Sequence, residues 1–165
     1  MRYIDTSVII AALDSLDPRQ RIAREVLESE EPKVISELVL MELASVISRR
    51  DEVLSSIANM LGLSKELSIA ALLLYILKRF KLQYKSINGY VKIPLLNKVH
   101  KLAINTIQLS PILKLKTLDL LHIAYIKLMK EKGVAVRTLI TVDEDFKKRE
   151  EVVKRTIDID IQLIK

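Results

Sequence analysis

The sequence contains no cysteine, and that absence removes several chemistries at once. Disulfides, thiolate-bound zinc, iron–sulfur ligation and a cysteine nucleophile are all excluded. Histidine is nearly as scarce: His100 and His122 are the only two, which excludes a multi-histidine metal centre. Three glycines and four prolines leave little material for flexible linkers or for collagen-like and low-complexity segments. Aromatic residues make up only 4% of the chain, so the core must be built mostly from Leu, Ile and Val. Long apolar runs are missing too. The run from Ile69 to Leu77 ends in Lys78-Arg79, far short of the roughly 20 residues that a membrane span needs. It reads as a buried helix, and no membrane partner is expected. Asp5 interrupts the first apolar stretch and nothing resembles a secretory signal, so a cytoplasmic location is expected.

What remains suits a folded protein. The chain has 165 residues, half of them apolar and 29% charged, which fits one domain over 1–165 and argues against disorder. The net charge of +6 is consistent with a polyanionic partner held through its phosphates, and equally with ordinary solubility charge.

Periodicity gives an alternating order of elements. Arg2-Tyr3-Ile4 reads as a short buried strand and Ser7 to Leu13 as a helix. Asp17-Pro18 interrupts before a helical stretch from Arg19 to Ser29, and Lys33-Val34-Ile35 is a second strand. Ser36 is placed as the N-cap of a helix from Glu37 to about Arg50. Two more helices, Asp51 to Leu61 and Ser64 to Phe80, are divided by Gly62 and belong to an extended helical segment over about 51–88. Tyr90 to Ile93 is a candidate third strand, followed by helical spacing from Leu95 to Leu109 that stops at Ser110-Pro111. An apolar helix runs from Thr117 to about Lys132 and closes at Gly133. Thr138 to Val142 is a fourth strand, Glu144 to Arg149 a short polar helix, and Ile157 to Ile164 a last strand. Strands that alternate with helices imply crossover connections and a central, mainly parallel sheet covered on both faces, an α/β class. Ligands then bind beyond the carboxyl ends of the strands.

The acids sit in unusual company. Asp5, Glu42 and Asp119 are lone charges within Tyr3–Ile10, Leu38–Ala44 and Leu118–Leu121, and Asp143 ends Leu139–Val142, stretches that otherwise belong in a core. An unpaired buried carboxylate costs several kcal/mol, and only Arg2 offers a basic neighbour. Each acid has an ordinary explanation: a helix cap for Asp5, helix-terminus charge for Asp119, an exposed stripe for Glu42, a strand-end turn for Asp143. One divalent cation explains all four together. Oxygen ligands without His or Cys point to Mg²⁺ or Mn²⁺ rather than zinc.

Asp5-Thr6-Ser7, Glu42 in the helix opening Ser36-Glu37-Leu38, Thr117-Leu118-Asp119-Leu120-Leu121-His122-Ile123-Ala124 and Thr141-Val142-Asp143-Glu144-Asp145-Phe146 resemble the ordered motifs of PIN-domain nucleases. The similarity is greatest to the VapC-type toxins of toxin–antitoxin pairs. It implies a three-layer α/β/α sandwich and a Mg²⁺- or Mn²⁺-dependent ribonuclease. It implies further a homodimer and a small antitoxin partner that occludes the acidic site. Asp5, Glu42, Asp119 and Asp143 would be the catalytic, metal-binding set, with Ser7 and Thr141 as orienting hydroxyls. Asp145 would be an auxiliary acid, or a cap of the short helix. The stretch between Asp51 and Asn88 is long for a minimal toxin.

Other residues read less sharply. His122, three residues after Asp119 on the same helix, reads as a satisfied core or rim histidine. Lys114, Lys116, Arg19 and Arg21 are either RNA-backbone contacts or solvated charges, and the tyrosines are too scattered for a stacking platform. Two alternatives of other classes remain: a PIN-fold RNA-binding or assembly module without turnover, and a receiver-type phosphoacceptor domain. The second wants paired acids after the first strand and a matching late Lys, which this chain lacks.

Overall fold

Asp5 directly follows a three-residue strand, and that strand is the middle of the sheet. A computed structural model describes residues 1–165. Strand β1 (Arg2–Ile4) is followed by α1 (Thr6–Leu13), α2 (Gln20–Glu28), β2 (Lys33–Ile35), α3 (Glu37–Ser48), α4 (Asp51–Leu61), α5 (Lys65–Arg79) and β3 (Leu82–Tyr84). The second half contains β4 (Tyr90–Ile93), β5 (Asn97–His100), α6 (Lys101–Leu113), α7 (Thr117–Glu131), β6 (Thr138–Thr141), α8 (Glu144–Lys148), α9 (Glu150–Ile157) and β7 (Asp160–Leu163). Five strands form one sheet in the order β3-β2-β1-β6-β7, every pair parallel.

The strands are short and apolar on both sides because helices cover both faces. Helix α1 packs on α2 and α3, and α3 on α5, whereas α6 packs on α7 and α9. Right-handed crossovers put these two groups on opposite faces. From β1 the chain moves outward to β2, and from β6 it moves the other way to β7. The carboxyl ends of β1 and β6 therefore flank the switch point, where helices cannot close the gap.

Three expectations from the sequence need correction. Tyr90–Ile93 is a strand, but it pairs antiparallel with Asn97–His100 in a separate hairpin, and the sheet's own third strand is Leu82–Tyr84. Three residues on a sheet edge are too few to show a periodicity of two. The helix expected from Leu95 begins at Lys101, because Leu95 and Asn97 turn the hairpin with φ of 71° and 61°. It continues past Pro111 to Leu113. Pro111 lies in the last turn, where the missing N–H frees only the carbonyl of exposed Ile107. Finally, α9 occupies Glu150–Ile157 ahead of the last strand, burying Val153 and Ile157.

No single helix is long and apolar enough to cross a membrane. Helices α4 and α5 reach that length and composition only as a pair, and they meet at 92°. The bend is made at Gly62, whose φ of 64° ends α4 in the left-handed region that side chains disfavour.

Candidate active site

At the switch point, Asp5 stands in the N-cap position of α1 with extended backbone, yet its carboxylate caps nothing. Its Oδ2 instead accepts from the Thr141 hydroxyl at 2.7 Å and from the Ser7 hydroxyl. Those hydroxyls are themselves held: Ser7 Oγ accepts from the Val142 amide at 3.3 Å, and Thr141 Oγ1 from the Asp143 amide at 3.0 Å. Asp5 and Thr141 are both buried, at 6% and 0% exposure. The end of β6 and the start of α1 are thus locked around one carboxylate.

Asp5 Oδ1 faces His122 Nε2 at 3.4 Å, and the same nitrogen lies 3.1 Å from Glu42 Oε2. Glu42 comes from α3 on one face of the sheet and His122 from α7 on the other, so the imidazole bridges the two layers. Glu42 Oε2 also accepts from the Thr6 hydroxyl. Behind the ring, His122 Nδ1 lies 2.8 Å from the Tyr3 hydroxyl, which is 2.7 Å from Ser36 Oγ. Burial works to lower the His122 pKa, but its bond to Glu42 and the charges of Asp5, Glu42 and Asp119 outweigh burial and raise it. For Glu42 burial pushes upward, and bonds from His122 and Thr6 hold the carboxyl below its usual value. A cationic imidazole donates from both nitrogens, to Glu42 and to Tyr3, leaving the tyrosine to donate to Ser36.

A second set of acids lies beyond the first. Asp119, in the first turn of α7, approaches Asp143 and Asp145 closely enough for one oxygen of each to meet around a single ion. Asp143 caps α8, its Oδ1 accepting from the Asp145 amide at 2.8 Å. Asp145 is not that cap; it is gripped by Lys116 and Lys148, each at 2.8 Å, which hold its carboxyl down at about 2. Asp119 has no lysine bonded to it in that way, and the more distant charges of His122 and Lys116 only partly offset its surroundings. Its buried Oδ2 finds no hydrogen-bond partner. Burial first, then the charges of Asp143 and Asp5, push its pKa up to about 6.

One cleft of about 330 Å³ is lined by Asp5, Glu42, Asp119 and Asp143 together with His122 and Arg49. The four acids expected from the sequence therefore share a cavity, as two groups rather than one ring: Asp5, Glu42 and His122, then Asp119, Asp143 and Asp145. An unpartnered buried oxygen beside further carboxylates fits a hard divalent cation, since such ligands are oxygen donors. His122 fits less well as a ligand, because both ring nitrogens already have partners.

Sequence reading missed two members of the site. Thr6 binds Glu42, and Arg49, the C-cap residue of α3 seven positions after Glu42, lies on the cleft wall. The spacing i, i+7 was available as a signal for Arg49. His122 is a satisfied core histidine as expected, and it also enters the cleft. Lys114, Arg19 and Arg21 do not line the cleft; Arg19 is tied to Asp17, and Arg21 approaches Glu25 at 4.0 Å.

Compared with known families, residues 2–152 match the PIN domain. The chain belongs to the PIN-domain family. A search of curated proteins finds no match. Among solved structures, this PIN domain resembles VapBC2 from Rickettsia felis bound to a DNA fragment from its promoter. That match has 18% identity and a TM-score of 0.58 and covers 100% of both chains. It also resembles VapC20 from Mycobacterium tuberculosis, a sarcin–ricin loop cleaving toxin, at 17% identity and a TM-score of 0.54, over 90% of this chain and 94% of that one. What these two structures share with the chain is the fold.

Proposed function

We propose that this PIN domain, acting as one unit over residues 1–165, is a Mg²⁺- or Mn²⁺-dependent endoribonuclease and the toxin of a cytoplasmic toxin–antitoxin pair. The observation that carries the reading is the orphaned Asp119 oxygen, beside Asp143 in the cleft that Asp5 and Glu42 also line. Asp119 and Asp143 would hold the cation with Asp5 across the same cleft, Glu42 would act beside them, and Asp145 would be auxiliary. Bound there, a divalent cation neutralises charge on the phosphate and lowers the pKa of attacking water.

The chain's own groups do the rest. Thr141 and Ser7 fix Asp5 Oδ2, so its other oxygen points toward the cleft and His122. Glu42 Oε2 is occupied by Thr6 and His122, and Oε1 is left to accept a hydrogen bond from the attacking water and orient it. Burial pushes the Glu42 carboxyl upward, but the hydrogen bonds from His122 and Thr6 hold it below its usual value, so it stays a hydrogen-bond acceptor in the cleft. Arg49 stands at the rim as a phosphate contact.

The toxin reading draws on the likeness to VapBC2 and VapC20. A small antitoxin covering the acidic cleft and a second copy of the chain are its expected partners. An apolar groove of about 220 Å³ between α4 and α5, lined by Leu54, Ile57, Leu72 and Tyr75, offers surface for a protein partner.

The direct test is cleavage of a mixed tRNA and rRNA pool with Mn²⁺ by the wild type beside Asp5→Asn. Cleavage by the wild type alone supports the nuclease and the site. Mn²⁺ binding without cleavage overturns turnover in favour of an RNA-binding module, and equal cleavage by both proteins overturns the site.

A further inference from the structure

The positive charge of this chain is concentrated in one stretch. Residues 67–118 hold nine lysines and arginines and no aspartate or glutamate, while the other 18 cations are outnumbered by the 21 acids. Within that stretch Arg79, Lys81 and Lys116 pair with acids from elsewhere. Lys92 and Lys98, on the β4–β5 hairpin, pair with none.

The hairpin arranges them on one face. Its register sets Tyr90 opposite His100 and Lys92 opposite Lys98, and side chains two apart on a strand share a face. Tyr90 is 56% exposed. The Lys98 ammonium lies 4.5 Å from its ring centroid, and His100 packs edge-on at 5.2 Å. Like charges directly opposite one another in a ladder destabilise it, so the Lys92–Lys98 pair costs stability in the isolated protein. A polyanion laid along this face relieves that cost.

The hairpin is also on the correct side of the molecule. It emerges past the carboxyl end of β3, the same edge of the parallel sheet that bears Asp5 and Asp143. Its root is fastened there: Tyr84 and Ser86 donate to Glu37 at the start of α3, Glu37 accepts from Tyr125 of α7, and the Lys101 amide bonds Gly89. Helices α3 and α7 are those that carry Glu42 and Asp119.

We infer that the β4–β5 hairpin is a second RNA-binding element, holding single-stranded RNA outside the cleft with phosphates on Lys92 and Lys98 and a base stacked on Tyr90. The inference extends the nuclease reading, because it assigns how substrate is held beyond the cleaved bond. Single strands are favoured over duplex because only an unstacked base can lie on the tyrosine. The two lysines supply the sequence-independent part of the affinity.

The test is binding, measured by fluorescence polarisation of an unstructured, labelled 20-nucleotide RNA in EDTA between 50 and 200 mM KCl. Lys92→Gln with Lys98→Gln is expected to lose about tenfold in affinity, and to reduce the slope of log K against log salt by about 1.4. Tyr90→Leu is expected to lose about tenfold with the slope unchanged. Lys92→Arg with Lys98→Arg, which keeps the charge, retains binding, as does Arg24→Gln with Lys132→Gln, which removes equal charge elsewhere. Equal losses in the two glutamine pairs would reduce the effect to bulk charge and overturn the inference. So would unchanged RNA affinity in the hairpin variants, including the case in which they lose self-association instead, which would mark the hairpin as a protein contact. EDTA separates this from the nuclease reading. Hairpin-dependent binding by a protein that never cleaves leaves the hairpin standing and the nuclease fallen. Mn²⁺-dependent cleavage with hairpin-insensitive binding does the reverse.

Discussion

Asp5 and Asp119 face the same cleft, and the chain treats them in opposite ways. Around Asp5 every neighbour is already partnered: Thr141 and Ser7 on one oxygen, His122 and Glu42 beside the other. Around Asp119 burial and the charges of Asp143 and Asp5 outweigh those of His122 and Lys116, one oxygen has no partner, and the pKa is pushed up to about 6. The first group is a finished network that stays put without help. The second is an unfinished one, in which repulsion and desolvation are stored until something positive arrives. In one cleft, the first sets geometry, and the second is where the proposed function would place a cation.

The largest expected effect comes from removing that demand or its anchor. Asp119→Asn and Asp5→Asn should each reduce RNA cleavage by about 10²–10³-fold, measured as initial rates on a defined RNA. A loss confined to only one of them would break the pairing of the two groups into one site.

His122→Ala attacks the finished network. It leaves the buried Tyr3 hydroxyl and Glu42 Oε2 short of a partner and removes the positive charge between Glu42 and Asp5. Stability should fall by about 3 kcal/mol, read as a lower urea midpoint at unchanged m-value. Thr141→Val should cost less, about 1–2 kcal/mol, because one donor to Asp5 and one acceptor for the Asp143 amide are lost. If Thr141→Val proved the more damaging, the imidazole would not be the keystone of the inner group.

The pH dependence sharpens the contrast. Asp119 releases its proton near 6 in the folded protein and near 3.8 when unfolded. His122 likewise holds its proton above the usual 6.5. In both windows the folded state binds more protons, so stability falls as pH rises. In chelator, the melting temperature should be higher at pH 5.5 than at pH 7.5, by a few degrees. Saturating Mn²⁺ should reverse the order, since the cation competes for the ionised carboxylate. A melting temperature that increases with pH in chelator would contradict the unfinished outer group. The smallest effect belongs to Asp145→Asn: its lysine partners are exposed, and its melting temperature should move by less than about 2 °C.

Much of the fold is legible in the sequence. The α/β class, the parallel core strands and the four acids follow from short apolar runs broken by single charges, because a carboxylate in a core stretch demands an explanation. Two features are not. The edge strand Leu82–Tyr84 is too short to carry a pattern, and the hairpin was masked because Leu95-Leu96 imitates the start of a helix while sitting exposed in a turn. The division of the acids into two groups could not be read either. It depends on which hydroxyls the fold brings to Asp5 from Thr141, 136 residues away. Likewise His122 reads as core because it is core; only the packing of α3 against the same sheet edge aims its Nε2 at Glu42.

The most direct measurement is a Mn²⁺ titration followed by thermal melting of the wild type and Asp119→Asn. The wild type should gain stability with Mn²⁺. Asp119→Asn should be equally or more stable without metal and gain nothing from it, since the substitution removes both the repulsion and the ligand. Undiminished Mn²⁺ stabilisation of Asp119→Asn would contradict the central claim that the orphaned carboxylate is what the cation completes.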